Sequence, residues 1–171
     1  MPDVRLRPLH FGHLMDTVIE YRFLRPGEEQ AACALVSAVF SQFVASDLGP
    51  EGMAEFFAFA NPVAMAARSG PGQVLLVAVH DGSIVGVLET RDGDHLALLF
   101  VSLTGRGIAR ELLRLAVAEC RARRPGLSSI TVNSSLFAEP VYRRLGFQPT
   151  APARTIHGIV HIPMSLALPG A

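Results

Sequence analysis

Residues Thr104 to Ala109, TGRGIA, form a glycine-rich loop that could bind a phosphate group. The loop lies between an apolar run and an amphipathic helical pattern. The first N–H groups of a helix have no intrahelical acceptor, and they stand at the positive end of the helix dipole. Glycine also lets the backbone approach a ligand closely. These features favour a phosphate or pyrophosphate, although a simple strand-to-helix turn would have the same sequence. The Lys and hydroxyl residue that end a Walker loop are missing.

Other side chains near predicted strand ends could move a proton or attract a charged ligand. Glu89 and His95 lie near the ends of adjacent predicted strands, where either could act as a base, directly or through water. Each could instead be a solvent-facing or turn residue. Asp47, in a predicted loop between helices, could attract a cationic substrate. His157 and His161 are four residues apart on a predicted strand, and we interpret them as ordinary strand residues, not metal ligands.

Hydrophobic periodicity predicts the elements that must position these residues. Asp81-Gly82 separates two apolar runs and is a typical two-residue hairpin turn. Helices are predicted to begin near residues 26, 50 and 109, with an interruption at Pro62 and a further helix over 137–145. Strands are predicted at residues 18–24, 73–80, 83–90, 95–101 and 129–133, near 147, and at 155–166.

This order of elements predicts an α+β fold. Three consecutive runs should form an antiparallel meander, and the later strand, helix and strand imply a right-handed crossover and a parallel pair. We therefore expect a mixed, mostly antiparallel sheet with one parallel strand pair, flanked by helices. Residues 1–17 are expected to be a mobile leader, and residues 18–171 a single domain.

Charge balance, the length of apolar runs and the two cysteines limit the classes of protein to which this chain could belong. The 15 basic and 15 acidic residues cancel, which argues against a nucleic-acid partner or an anionic membrane surface. No apolar run approaches the ~20 residues that a membrane span needs. Cys33 and Cys120 both lie in apolar helical patterns and are expected to be buried thiols in a reducing compartment. The sequence thus indicates a cytoplasmic protein.

Two motifs together resemble those of the GNAT (Gcn5-related N-acetyltransferase) superfamily, in its small bacterial single-domain form. Gly107 and Ala109 match the small positions of its [Gln/Arg]-x-x-Gly-x-[Gly/Ala] loop. Residues 130–147, ITVNSSLFAEPVYRRLGF, are similar to its second motif, a strand followed by a helix of the form A-x-x-x-Y-x-x-x-G-F. The positions that match this motif are Ala138, Tyr142, Gly146 and Phe147.

The resemblance implies acetyl-CoA as co-substrate, without a metal. The loop amides would wrap the pyrophosphate, and the backbone of the preceding strand would bind the pantetheine arm. Asn133 ends the parallel strand and could reach the pantetheine or cap the next helix, which Ser134 or Ser135 could equally do. The expected CoA-binding residues are Leu99, Phe100, Val101, Thr104, Gly105, Arg106, Gly107, Ile108, Ala109, Arg110 and Asn133.

The resemblance also implies direct transfer of acetyl to the amine of an unidentified small molecule or peptide. Tyr142 would protonate the departing thiolate, and a backbone N–H near Phe100 or Val101 could polarise the thioester carbonyl. Neither motif contains a cysteine, which disfavours a covalent acyl-enzyme. Two alternatives stay open, because Thr104 stands where the family usually has Gln or Arg. The chain could be a CoA-binding regulatory or interaction module without catalysis, or a scaffold that binds no CoA. The late strands could also pair two subunits into a homodimer.

Overall fold

The computed structural model describes residues 18–70 and 72–170, so the predicted leader over residues 1–17 lies outside it. A 3₁₀ turn, Ala45–Asp47, connects the first two helices. The helices are α1 (Glu29–Phe43), α2 (Pro50–Phe59), α3 (Pro62–Arg68), α4 (Ile108–Arg123) and α5 (Glu139–Arg144). The strands are β1 (Glu20–Phe23), β2 (Leu75–His80), β3 (Ser83–Arg91), β4 (His95–Val101), β5 (Ser129–Ser134), β6 (Gln148–Pro149), β7 (Arg154–Ile156) and β8 (Ile159–Ala167).

The sheet has the order β1-β2-β3-β4-β5-β8-β6, and β7 pairs with β8 outside this order. Within the described ranges, β4 and β5 are the one parallel pair, and all other neighbours are antiparallel. Helix α4 makes the crossover between these two strands. The predicted α+β fold with a mixed, mostly antiparallel sheet is confirmed. The predicted hairpin is also present, since Asp81 and Gly82 have φ values of 49° and 73°.

The parallel pairing of β4 with β5 is short. It joins His95 to Thr131 and Leu96 to Val132, and ends there. Directly afterwards β4 contains a bulge, because Thr90 pairs with Leu96 whereas Glu89 pairs with Leu98. A bulge bends its strand and increases the local twist. Beyond residue 96, β4 therefore turns away from β5, and its backbone groups on that side have no strand partner among the described residues.

Helices cover both faces of the central strands, so these strands are mostly apolar. On one face Leu88 packs with Leu112 of α4 and with Phe147, which follows α5. On the other face Val87 packs with Val36 of α1 and Met65 of α3. Cys33 and Cys120 lie buried in these two cores, as predicted. No helix within 18–70 or 72–170 has the length and apolar character that a bilayer crossing needs.

The C-terminal part differs from the prediction. Residues 155–166 were expected to form one strand, but His157 and Gly158 form a turn, with φ values of 49° and 71°. This turn splits the segment into β7 and β8. His157 is therefore a turn residue and not, as interpreted from the sequence, a strand residue. The helix expected over 137–145 is confined to α5, with Pro140 in its first turn, where proline is favoured.

Candidate active site

Two glycines shape the loop between β4 and α4. Gly105 and Gly107 have φ values of 76° and 70°, a region that other residues rarely adopt. Gly107 is the N-cap of α4. The start of α4 is pressed against β3 at Gly86, where an added Cβ atom would lie only 2.9 Å from Ile108 Cγ2. The loop is thus fixed in place by a buried helix start.

The loop presents free backbone N–H groups and two guanidinium groups. The backbone N–H groups of residues 105–110 have no acceptor within the described part of the chain. Thr104, Arg106 and Arg110 are exposed beside them. The Nη1 atom of Arg106 lies 3.5 Å from His80 Nε2, and neither Arg106 nor Arg110 forms an ion pair in the described ranges. Free amides at a helix N-terminus and unpaired guanidinium groups favour a phosphate.

A cavity of about 460 Å³ lies where β4 and β5 diverge. Its walls come from α1, α2, β4, β5, α5 and the β7–β8 hairpin. The hairpin tip reaches α2 through two glycines, because an added Cβ atom on Gly52 would lie 2.6 Å from the Gly158 carbonyl oxygen. The tip and α2 are therefore in backbone contact beside the cavity. Leu99 and Phe100 of β4 line it, whereas Val101 lies outside its lining.

Tyr142 lines the cavity from α5. It is 8% exposed, and its ring packs edge-on against Phe147, with centroids 5.4 Å apart. Its hydroxyl has no hydrogen-bond partner in the described chain. The hydroxyl oxygen is not among the fully buried polar atoms that lack a partner. Burial raises the pKa of Tyr142, because the phenolate would lose its hydration. The hydroxyl thus remains protonated and free to donate into the cavity.

His95 lines the same cavity. Its Nδ1 atom lies 2.9 Å from the Thr131 hydroxyl oxygen. Burial lowers the pKa of His95 from its ordinary value of 6.5, and the neighbouring Arg91 guanidinium lowers it further, against the opposing charges of Asp94 and Asp92. At neutral pH the imidazole is therefore uncharged and able to accept a proton.

His161 is a cavity residue that the sequence interpretation missed. It lies on β8, is only 5% exposed and lines the cavity. The Nε atom of Arg154 donates to its Nε2 atom at 3.3 Å, so this nitrogen carries a lone pair. The available signal was a single histidine within the otherwise apolar run of β8, which marks a buried polar group that needs a partner.

The sequence left open which of Asn133, Ser134 and Ser135 caps the next helix and which could contact a ligand. The Ser135 hydroxyl accepts the Ala138 N–H at 3.1 Å and so fixes the turn before α5. The Ser134 hydroxyl donates to the Ser135 carbonyl oxygen. Asn133 caps nothing in the described chain, and its exposed side chain lines the cavity. Its amide is therefore available to a ligand between β4 and β5.

Glu89, the other base that the sequence suggested, is neither a solvent-facing residue nor part of the cavity lining. It is 2% exposed, and its carboxylate accepts from Arg68 Nε at 2.7 Å and Nη2 at 3.1 Å. The same guanidinium donates to the Phe59 carbonyl oxygen and lies over the Phe59 ring, 3.7 Å from its centroid. Glu89 thus connects β3 to the α2–α3 segment that forms one cavity wall. Asp47 lies in the turn between α1 and α2, outside the lining.

Comparison with known proteins adds to this geometry. A family model described as an acetyltransferase (GNAT) domain matches residues 44–168. A GCN5-related N-acetyltransferase from Rhodopseudomonas palustris superposes with a TM-score of 0.74 at 25% identity, over 92% of this chain and 100% of that one. The PaiA N-acetyltransferase of Thermoplasma acidophilum, in complex with coenzyme A, shares the fold with a TM-score of 0.71 at 15% identity, over 88% and 99%. The ribosomal-protein-S18-alanine N-acetyltransferase of Escherichia coli gives 0.63 at 18%, over 90% and 96%. No curated protein sequence matches significantly.

Replacing Glu89 with Gln separates a structural role from a catalytic one. We expect the free energy of unfolding to fall by about 2–3 kcal/mol, because a charge-assisted hydrogen-bond pair is lost and Arg68 keeps a partly buried charge. Urea denaturation would measure this. The matched control is Glu119→Gln, since the exposed Glu119–Arg123 pair should contribute less than about 0.5 kcal/mol. A variant of unchanged stability but altered pH–rate profile would identify Glu89 as a base instead.

Proposed function

Because the chain belongs to the GNAT acetyltransferase family, whose model matches residues 44–168, we propose that it moves an acetyl group from acetyl-CoA directly to an amine of a small molecule or peptide. The observation that carries this proposal is Tyr142. Its protonated, unpartnered hydroxyl points to a proton donor, and it lines the same cavity as the unpaired edge of β4. The hydroxyl is not committed to a protein partner within the described residues, so it is free to donate to a ligand in the cavity.

The co-substrate would lie across the gap between β4 and β5. Its pyrophosphate would accept hydrogen bonds from the free N–H groups of residues 105–110. Its pantetheine arm would run along the unpaired backbone of Leu99–Val101 and pair with it as a strand does. Asn133 would hydrogen-bond the arm from the β5 side. These contacts would place the thioester beside Phe100 and Tyr142, in the cavity.

Acyl transfer then needs stabilisation of an oxyanion, a proton acceptor and a proton donor. A backbone N–H of β4 near Phe100 would stabilise the oxyanion that forms when the amine attacks the thioester carbonyl. The neutral imidazole of His95 would take the proton that the amine must lose. As the C–S bond breaks, the Tyr142 hydroxyl would protonate the thiolate and release CoA. Cys33 and Cys120 are buried in the two cores, away from the cavity, which fits direct transfer without an acyl-enzyme.

Calorimetric titration with acetyl-CoA tests the loop. We expect saturable binding that free pantetheine does not reproduce, because the pyrophosphate contacts dominate. Gly107→Ala should weaken this binding about tenfold, because a left-handed conformation costs a residue with a Cβ atom about 1–2 kcal/mol. Gly126→Ala is the matched control, since Gly126 has open space around it and no positive φ. Equal binding of pantetheine, or no binding, would refute a pyrophosphate site. Tight binding without acetyl transfer to any amine in a broad panel would favour a non-catalytic CoA-binding module.

Tyr142→Phe tests the proton donor. The substitution keeps the ring packing against Phe147 and removes only the hydroxyl. We expect kcat to fall by about 10²-fold or more, as for loss of a general acid, while the Kd of acetyl-CoA stays unchanged. Steady-state kinetics and calorimetry on the same preparation would show this split. Wild-type turnover in the variant would exclude Tyr142 as the acid.

His95→Gln tests the base through its pH dependence. Because the pKa of His95 lies below 6.5, the neutral form prevails at pH 7, and kcat/KM of the wild type should fall as the pH drops through that lowered pKa. The variant should lose this acidic limb and be about 10²-fold slower above it. The measurement is a pH–rate profile corrected for ionisation of the acceptor amine. His157→Asn, on the turn at the same cavity, should keep the limb. An unchanged limb in His95→Gln would move the base elsewhere.

A further inference from the structure

A short chain of hydrogen bonds leads from the end of α4 to His95. The Arg124 guanidinium donates to an Asp94 carboxylate oxygen and to the Asp92 carbonyl oxygen, each at 3.0 Å. It thereby holds the turn between β3 and β4. The Asp94 carbonyl oxygen accepts the Thr131 backbone N–H at 2.8 Å. Thr131 is thus fixed opposite His95 at the point where the parallel pairing begins.

The Thr131 hydroxyl has two neighbours and one proton. The hydroxyl oxygen lies 3.4 Å from the Asp94 carbonyl oxygen and 2.9 Å from His95 Nδ1. A carbonyl oxygen can only accept, so in the contact with Asp94 the hydroxyl is the donor and uses its one proton there. In that arrangement the lone pairs of the hydroxyl oxygen are left for His95, and its Nδ1 atom is the donor. In a neutral imidazole with a proton on Nδ1, the lone pair is on Nε2.

We propose that Thr131 is a positioning residue, which holds His95 in the Nδ1–H tautomer so that Nε2 faces the cavity as the proton acceptor. This inference rests on the proposed function, because it assigns the geometry of the base in that reaction. Only this tautomer lets His95 gain a proton on Nε2 without breaking its bond to Thr131. The hydroxyl would thus serve the neutral and the protonated imidazole alike.

Other charged groups around His95 do not determine its tautomer. Arg91 on β3, Asp92 and Asp94 in the turn, and His161 on β8 act on its charge. None of them forms a hydrogen bond to the His95 ring within the described chain. They influence how readily the ring is protonated, whereas the Thr131 hydroxyl decides which nitrogen carries the proton.

The test compares Thr131→Val with Thr131→Ser. Both variants keep the backbone N–H that binds Asp94. Valine also keeps the side-chain shape on an exposed strand position that suits it, whereas only serine keeps the hydroxyl. Nitrogen-15 NMR of the His95 ring would give the tautomer without any need for activity. We expect a protonated Nδ1 in the wild type and Thr131→Ser, and a loss of that preference in Thr131→Val.

Kinetics give the second readout. Thr131→Val should lower kcat/KM about tenfold, as loss of one hydrogen bond of about 1.4 kcal/mol would do, with KM for acetyl-CoA unchanged. Its acidic limb should shift to lower pH, because the lost acceptor stabilised the imidazolium more than the imidazole. Thr131→Ser should restore both values to within about twofold.

The outcomes distinguish this inference from the proposed function. A wild-type His95 with its proton on Nε2, or a Thr131→Val variant with an unchanged tautomer and pH profile, would overturn the role of Thr131. A wild-type Nδ1–H tautomer that Thr131→Val loses, together with full activity of His95→Gln, would support the positioning contact and remove His95 as the base. The NMR result thus tests the role of Thr131, and the His95→Gln variant tests the role of His95 as the base.

Discussion

The brief parallel pairing between β4 and β5 is the constraint around which the site is built. Two residue pairs hold the strands together, and the bulge at residues 96–98 then turns β4 away. A longer ladder would satisfy the backbone groups of β4 with β5 and leave no room between them. Because the ladder stops, one strand edge remains open inside the sheet, lined by apolar side chains and closed by helices. An extended ligand can hydrogen-bond there without exposing an edge at the molecular surface, where unpaired strands promote aggregation.

Burial sets the protonation of the two central groups in complementary ways. It raises the pKa of Tyr142 and lowers that of His95, and in each case the cause is the same, because the charged form would lose hydration. The same burial therefore favours the neutral form of both side chains. Glu89, by contrast, forms a salt bridge with Arg68 and so connects β3 to α3, outside the cavity lining.

Most helices and strands of this fold could be predicted from the sequence, because apolar periodicity and turn dipeptides are local signals. The hairpin at Asp81-Gly82 and the glycine loop before α4 are examples. Two cavity residues could be predicted from the sequence, Tyr142 from the spacing of a motif and His95 from its position at a strand end. The role of Glu89 depended on Arg68, which is 21 residues distant in the chain, and such pairing leaves no local pattern. His161 and the His157-Gly158 turn were missed for a related reason. A short polar interruption in an apolar run does not show whether the chain reverses or a cavity lies alongside.

The contact between Gly52 and Gly158 has a consequence for how this protein can diversify. The hairpin tip meets α2 there backbone against backbone, so this contact does not depend on any side chain of the tip. Ile156, His157 and Val160 line the cavity on either side of Gly158, and they can be exchanged while the two glycines keep the tip seated. Under the proposed function, these exchangeable side chains would contact the acceptor amine, whereas the glycine contact would only keep the hairpin in place. New acceptor preferences could then arise in the hairpin without loss of that contact.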